Sequence, residues 1–213
     1  MKNIMLLGDS IRMFYQKRVI EKLGDDYNVW GPEENVRFAR YTQNSLRFYL
    51  AEFPNPDVIH WNNGLWDIAT LYPEDGCFTP LEEYISSLKI ILRELKKTGA
   101  RIIFATSTPV ADEKRFLPGP FPPRMLNEDI VRYNEAAVGL MRENNICIND
   151  LHRVLTDAGD GMICDDLVHP TQKGIEVLSD AVSEYIKDVC ANITFSEHKR
   201  QTKIIELDEM HKQ

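Results

Sequence analysis

Ile4-Met5-Leu6-Leu7-Gly8-Asp9-Ser10-Ile11-Arg12-Met13-Phe14 decides how the rest of the chain is read. Four consecutive apolar residues suit a short strand buried on both faces. Gly8-Asp9 is a turn pair, and from Ile11 the apolar residues recur at helical spacing as far as Leu23. Strand, tight turn and helix together put the Ser10 hydroxyl at the carboxyl end of a strand. Open α/β sheets hold their ligands at that edge.

The alternation continues outward from this stretch. A strand is expected over 27–30, ended by Gly31-Pro32, and a polar, arginine-rich loop leads to a helix over 42–53. A strand over 57–61 and a loop over 64–80 follow. Leu81, Ile85, Leu88, Leu92 and Leu95 then mark a helix that starts at Pro80 and stops at Gly99. Strands over 101–105 and 146–148 and helices over 127–143 and 171–189 complete the series. Strands that alternate with helices predict an α/β fold with a central parallel sheet and helices on both faces.

No internal repeat or linker composition divides the chain, so residues 1–191 are read as one domain and 192–213 as a polar C-terminal tail. The apolar cluster of that tail, Ile204, Ile205 and Leu207, fits either a frayed end or an arm that docks on a second subunit. Segment 116–124 carries Pro118, Pro120, Pro122 and Pro123, and reads as a stiff surface loop or as a wall of a substrate site.

With 213 residues and a net charge of -8, the chain lacks the basic face that a broad nucleic-acid footprint needs. Its first apolar run is too short for a signal segment, and no stretch approaches the roughly 20 apolar residues of a membrane span. The expected location is therefore cytoplasmic, with no membrane partner. Cys77, Cys147, Cys164 and Cys190 are scattered without a C-x-x-C pair, which favours reduced thiols over a disulfide frame or a zinc site. Asp157, Asp160, Asp165 and Asp166 lack the alternation of a calcium loop, so no metal is expected.

A serine hydroxyl needs a base within reach, and the base needs a third group to orient it and stabilise its charge. Asp166-Leu167-Val168-His169 can supply both, just before Pro170 and the last helix. His60, His152, His198 and His211 have no such setting, while Asp165 competes with Asp166 as the orienting carboxylate. The G-x-S-x-G elbow of α/β-hydrolases is absent, since Gly8-Asp9-Ser10-Ile11-Arg12 stands in its place.

Gly8-Asp9-Ser10 after the first strand and Asp166-Leu167-Val168-His169 before the terminal helix resemble the first and last blocks of the SGNH, or GDSL-type, hydrolases. The resemblance implies a three-layer flavodoxin-like sandwich and a Ser10-His169-Asp166 mechanism. It also implies hydrolysis of small-molecule or carbohydrate esters, O-acetyl esters among them, without metal or cofactor. Its third block would be Gly-x-Asn-Asp, whose Asn donates to the oxyanion. Gly64-Leu65-Trp66-Asp67 stands there, so Trp66 takes the Asn position, with Asn62 and Asn63 as alternatives.

The second block would offer a glycine N–H, and Ala39, or Arg40 one position later, takes that role. Arg37 and Arg40 fit either an anionic part of the substrate or a solvated loop. Trp61, Trp66, Tyr72 and Phe78 suit either stacking on a sugar ring or packing. A non-catalytic ligand-binding protein and an acyltransferase would use the same fold.

Overall fold

The opening apolar run becomes β1 (Lys2–Leu7), in which Ile4, Met5, Leu6 and Leu7 are fully buried. The computed structural model describes residues 1–72, 75–111 and 124–192. β2 (Tyr27–Trp30), β3 (Val58–Trp61), β4 (Arg101–Ala105) and β5 (Cys147–Asn149) join β1 in one parallel sheet of order β2-β1-β3-β4-β5. β1 and β3 are covered on both faces, which is why their sequences are continuous apolar runs rather than alternating ones. The chain leaves β1 for β2 on one side and returns to β3 on the other. The crevice of the sheet opens at that reversal.

α1 (Ser10–Leu23) and α7 (Gln172–Ala191) pack on each other on one face, with α6 (Leu151–Ala158) against α7. α2 (Ala39–Glu52), α4 (Leu81–Lys96) and α5 (Asn127–Glu143) make the opposite layer, with the short α3 (Leu65–Ile68) against α5. This is the expected α/β sandwich with a central parallel sheet. No helix among the described residues is long and apolar enough to cross a membrane.

Three elements depart from the sequence reading. α2 starts at Ala39 rather than at 42, because extended Phe38 caps it and its carbonyl accepts from the Tyr41 and Thr42 N–H groups. α3 sits inside the expected 64–80 loop. α6 went unexpected, although Asp150 caps it by accepting from the Arg153 N–H and Leu151 and Leu155 are buried one turn apart. The proline-rich segment, save Arg124, and the tail from 193 onward lie outside the described residues; Arg124 exchanges backbone hydrogen bonds with Thr70.

His60 faces the α1 side from the middle of β3 and is fully buried, edge-on to Tyr15. Its Nε2 lies 3.3 Å from the Asn149 amide, and desolvation pushes its pKa from 6.5 down to about 3. The unfolded chain therefore takes up a proton below about 6.5 that the folded chain refuses, and stability falls as pH drops toward 3. Asp9 and Asp67, pushed up by burial to about 6 and about 7, act in the opposite sense as pH rises. In His60→Gln the carboxylate contributions stay and the imidazole contribution goes. The difference in unfolding free energy between wild type and this variant, from urea titrations, should shift against the wild type between pH 7 and pH 4.

Candidate active site

Ser10 is the first residue of α1, and the turn before it is tightly tied. The Asp9 carboxylate caps the helix by accepting from the Ile11 N–H at 3.0 Å. Gly8 lies so close to α1 that a Cβ there would come within 2.9 Å of the Arg12 Cβ. Arg12 is itself buried, yet its guanidinium is satisfied: it donates to the carbonyls of Gly8, Pro32 and Glu34 and to the Gln16 side chain. A buried arginine paired this way is a clamp between the Gly8–Ser10 turn and the loop that leads to α2. The Val36 N–H adds a second tie, to the Gly8 carbonyl.

The imidazole beside Ser10 arrives from the other end of the chain. His169 Nε2 lies 2.9 Å from Ser10 Oγ, and its Nδ1 lies 2.7 Å from Asp166 Oδ2. The second carboxylate oxygen of Asp166 accepts from the backbone N–H groups of Val168 and His169. Partial burial works against ionising Asp166, but these two N–H groups and the imidazole outweigh it and hold its pKa below the usual value. The turn that makes this possible is strained, since Leu167 adopts a left-handed φ of 71°. Hydrogen bonds from the Leu167 N–H to the Cys164 carbonyl and from the Ala111 N–H to the Leu167 carbonyl hold it there.

Gly174 brings this loop onto α7. The Cys164 N–H donates to the His169 carbonyl, the Thr171 N–H donates to the Met162 carbonyl, and Thr171 caps α7 at the Gly174 N–H. A Cβ on Gly174 would stand 2.2 Å from the Met162 carbonyl oxygen, so the close approach needs glycine.

On the far side of Ser10 the structure redistributes the expected oxyanion donors. The Ala39 N–H is engaged by both carboxylate oxygens of Asp67, at 3.1 and 3.0 Å. Asn63 spends its amide on the Arg37 carbonyl and Thr42 Oγ1, and its oxygen accepts from the Trp61 indole. Asn62 donates to the Ala105 carbonyl. Ala39 and Asn63 thus spend their N–H groups holding the α2 entry to α3 and the β3 end, while Asn62 ties the β3 end to β4 through one of its two amide hydrogens.

Gly64 is buried and caps α3 through its carbonyl; a Cβ on it would meet Ser107 Oγ. Trp66, half-buried on α3, has no hydrogen-bond partner for its indole N–H among the described residues. Arg40 is exposed beside Glu83, at 3.8 Å, and its backbone N–H lies in the first turn of α2, where helix donors lack intrahelical acceptors.

Of the aromatic residues that suit either sugar stacking or packing, Trp61 is fully buried in the core, against Phe104. Phe78 and Tyr72 are at the surface, with Phe78 against Phe38. Sequence reading missed Asp67 as an organiser, although it closes the Gly64-Leu65-Trp66-Asp67 block. It also missed Phe14, whose ring lies 4.9 Å from the imidazole of His169. Phe14 follows Ser10 by one helical turn, which was a usable signal.

No family model matches the chain, and no curated protein matches it either. Solved structures do. A lipase/acylhydrolase from Enterococcus faecalis superposes with a TM-score of 0.73 at 18% identity, over 89% of this chain and 97% of the other. A GDSL-like lipase from Bacteroides thetaiotaomicron gives 0.69 at 14% identity, over 88% and 89%. An acetyl xylan esterase gives 0.70 at 18% identity, over 86% and 99%. The chain has the GDSL-hydrolase fold.

Within that fold, the position of the His169 loop rests on Gly174. Gly174→Ala should lower the urea midpoint, at a cost of about 1–3 kcal/mol for overpacking against backbone. Asp67→Ala strands the Ala39 N–H and should cost about as much as a buried unsatisfied donor, roughly 1–3 kcal/mol, in the same titration.

Proposed function

We propose that the chain is a serine esterase that hydrolyses short acyl esters through an acyl-enzyme on Ser10. The observation that carries this reading is the unbroken line from Ser10 Oγ to His169 to Asp166, with contacts of 2.9 and 2.7 Å. His169 takes the Ser10 proton as Oγ attacks the ester carbonyl, then gives it to the departing alcohol oxygen. A water activated by the same imidazole releases the acid and restores Ser10. Asp166 fixes the tautomer that leaves Nε2 open to Ser10 and stabilises the imidazolium that forms.

Negative charge on the carbonyl oxygen needs donors on the side away from His169. The Ser10 N–H, at the positive end of α1, is the first. With Ala39 and Asn63 engaged elsewhere, the indole of Trp66 and the backbone N–H of Arg40 supply the others. An indole is a donor only, so Trp66 can take the place of an asparagine amide in this role.

O-acetyl groups on carbohydrates are the favoured substrates. The likeness to an acetyl xylan esterase supports that choice.

Release of acetate from acetylated xylo-oligosaccharides, followed by titration or chromatography, tests the reading. Ser10→Ala should abolish it and block labelling by a fluorophosphonate, with an unchanged circular dichroism spectrum. Asp166→Asn should lower kcat by about 10⁴, the effect of losing the orienting carboxylate. Full turnover by Ser10→Ala would overturn the assignment.

A further inference from the structure

We propose that Phe14 is the wall of the leaving-group subsite and selects esters whose alcohol presents a flat, C–H-rich face. The inference rests on the esterase reading above. Phe14 lies one turn beyond Ser10 on α1, and its ring is inclined by 38° to the His169 imidazole at a centroid distance of 4.9 Å. Yet the residue remains 44% exposed. A phenylalanine kept half in water beside the imidazole has apolar surface left to offer a ligand.

The direction of proton flow decides which part of the ligand meets it. In acylation His169 Nε2 must reach the alcohol oxygen within roughly 2.6–3.2 Å to protonate it. The body of the alcohol therefore lies alongside the imidazole, where Phe14 stands. The carbonyl oxygen points the other way, toward Trp66 and the first turn of α2. In deacylation the alcohol is gone and a water takes its place, with no ring for Phe14 to contact. Phe14 therefore acts on acylation more than on deacylation. Having no polar handle, its ring suits the C–H face of a neutral sugar ring or an aryl group better than a small alcohol.

Three acetates with different alcohols provide the test: methyl acetate, phenyl acetate and an O-acetylated methyl xylopyranoside. In Phe14→Ala, kcat/KM for the two ring alcohols should fall about tenfold relative to methyl acetate, the scale of one lost ring contact. Breakdown of the shared acetyl-enzyme, read from the pre-steady-state burst with p-nitrophenyl acetate, should fall less than acylation does. Phe14→Leu keeps an apolar cover over the imidazole and should lose the same preference for ring alcohols.

Equal losses for all three esters and in both steps would overturn the proposal, leaving Phe14 as a prop for His169. Unchanged kinetics would overturn it as well. A wild-type protein inert to all three esters and to a fluorophosphonate would remove the esterase reading and this inference together. An active wild type with unaltered preferences in Phe14→Ala would remove the inference alone.

Discussion

The contact between Ser10 and His169 joins residues 159 positions apart, and most of the architecture serves to bring those two ends within 2.9 Å. Neither side chain could hold that distance alone. Ser10 is fixed because β1 is buried at the centre of the sheet and its carboxyl end opens at the reversal in strand order. His169 is fixed because α7 packs along α1 and the loop before α7 is drawn in at Gly174. The sheet and the α1–α7 pair act as one frame, and a line of side chains built on such elements keeps its geometry without help from a ligand. Strain is confined to the connecting turn, where Leu167 accepts a left-handed backbone so that the Asp166 carboxylate can fold back toward the imidazole.

The fold and this line were legible in the sequence because both rest on local patterns. Ile4 to Leu7 cannot be an exposed strand, and Gly8-Asp9 cannot continue it. Asp166 and His169 are close enough in sequence for a single turn to join them. The oxyanion side was not legible in the same way. Ala39 and Asn63 were reasonable donors by position, but a donor is available only if nothing else claims it. Asp67 claims the Ala39 N–H across 28 positions, and Arg37 and Thr42 claim the Asn63 amide across 26 and 21. Such competition is a property of tertiary contacts, and one chain read from end to end carries no sign of it. Whether Trp61 stacks on a ligand or packs was open in the sequence for the same reason: a tryptophan at the end of a central strand is core when helices cover both faces.

The polar residues around Ser10 are arranged so that burial is matched by hydrogen bonding in most cases and left short in a few. Arg12 is the well-matched case, with acceptors on the Gly8–Ser10 turn and on the loop before α2. Asp67 is intermediate: it holds the Ala39 N–H, but desolvation still lifts its pKa to about 7. Asp9 keeps one oxygen on the Ile11 N–H, while the other is buried without a partner among the described residues. Leaving a carboxylate in that state costs stability, as does the neutral His60 in the central strand, whose Nδ1 is buried without a partner among the described residues. Polar groups of this kind are not what a core selected for stability alone would keep.

Their placement shows what the cost maintains. Asp9 caps the helix that begins with Ser10, and Asp67 pins the first N–H of α2, so that the two helix N-termini are each held by a buried carboxylate. Each helix end would otherwise carry free N–H groups and a partial positive charge. The carboxylates occupy one donor apiece, Ile11 in α1 and Ala39 in α2, while the Ser10 and Arg40 N–H groups have no acceptor among the described residues. A site that must stabilise negative charge on a small oxygen gains from donors that are fixed in place before the charge appears. Under the esterase reading proposed above, the buried carboxylates and Asn63 are scaffolding for the donors that remain, the Trp66 indole among them.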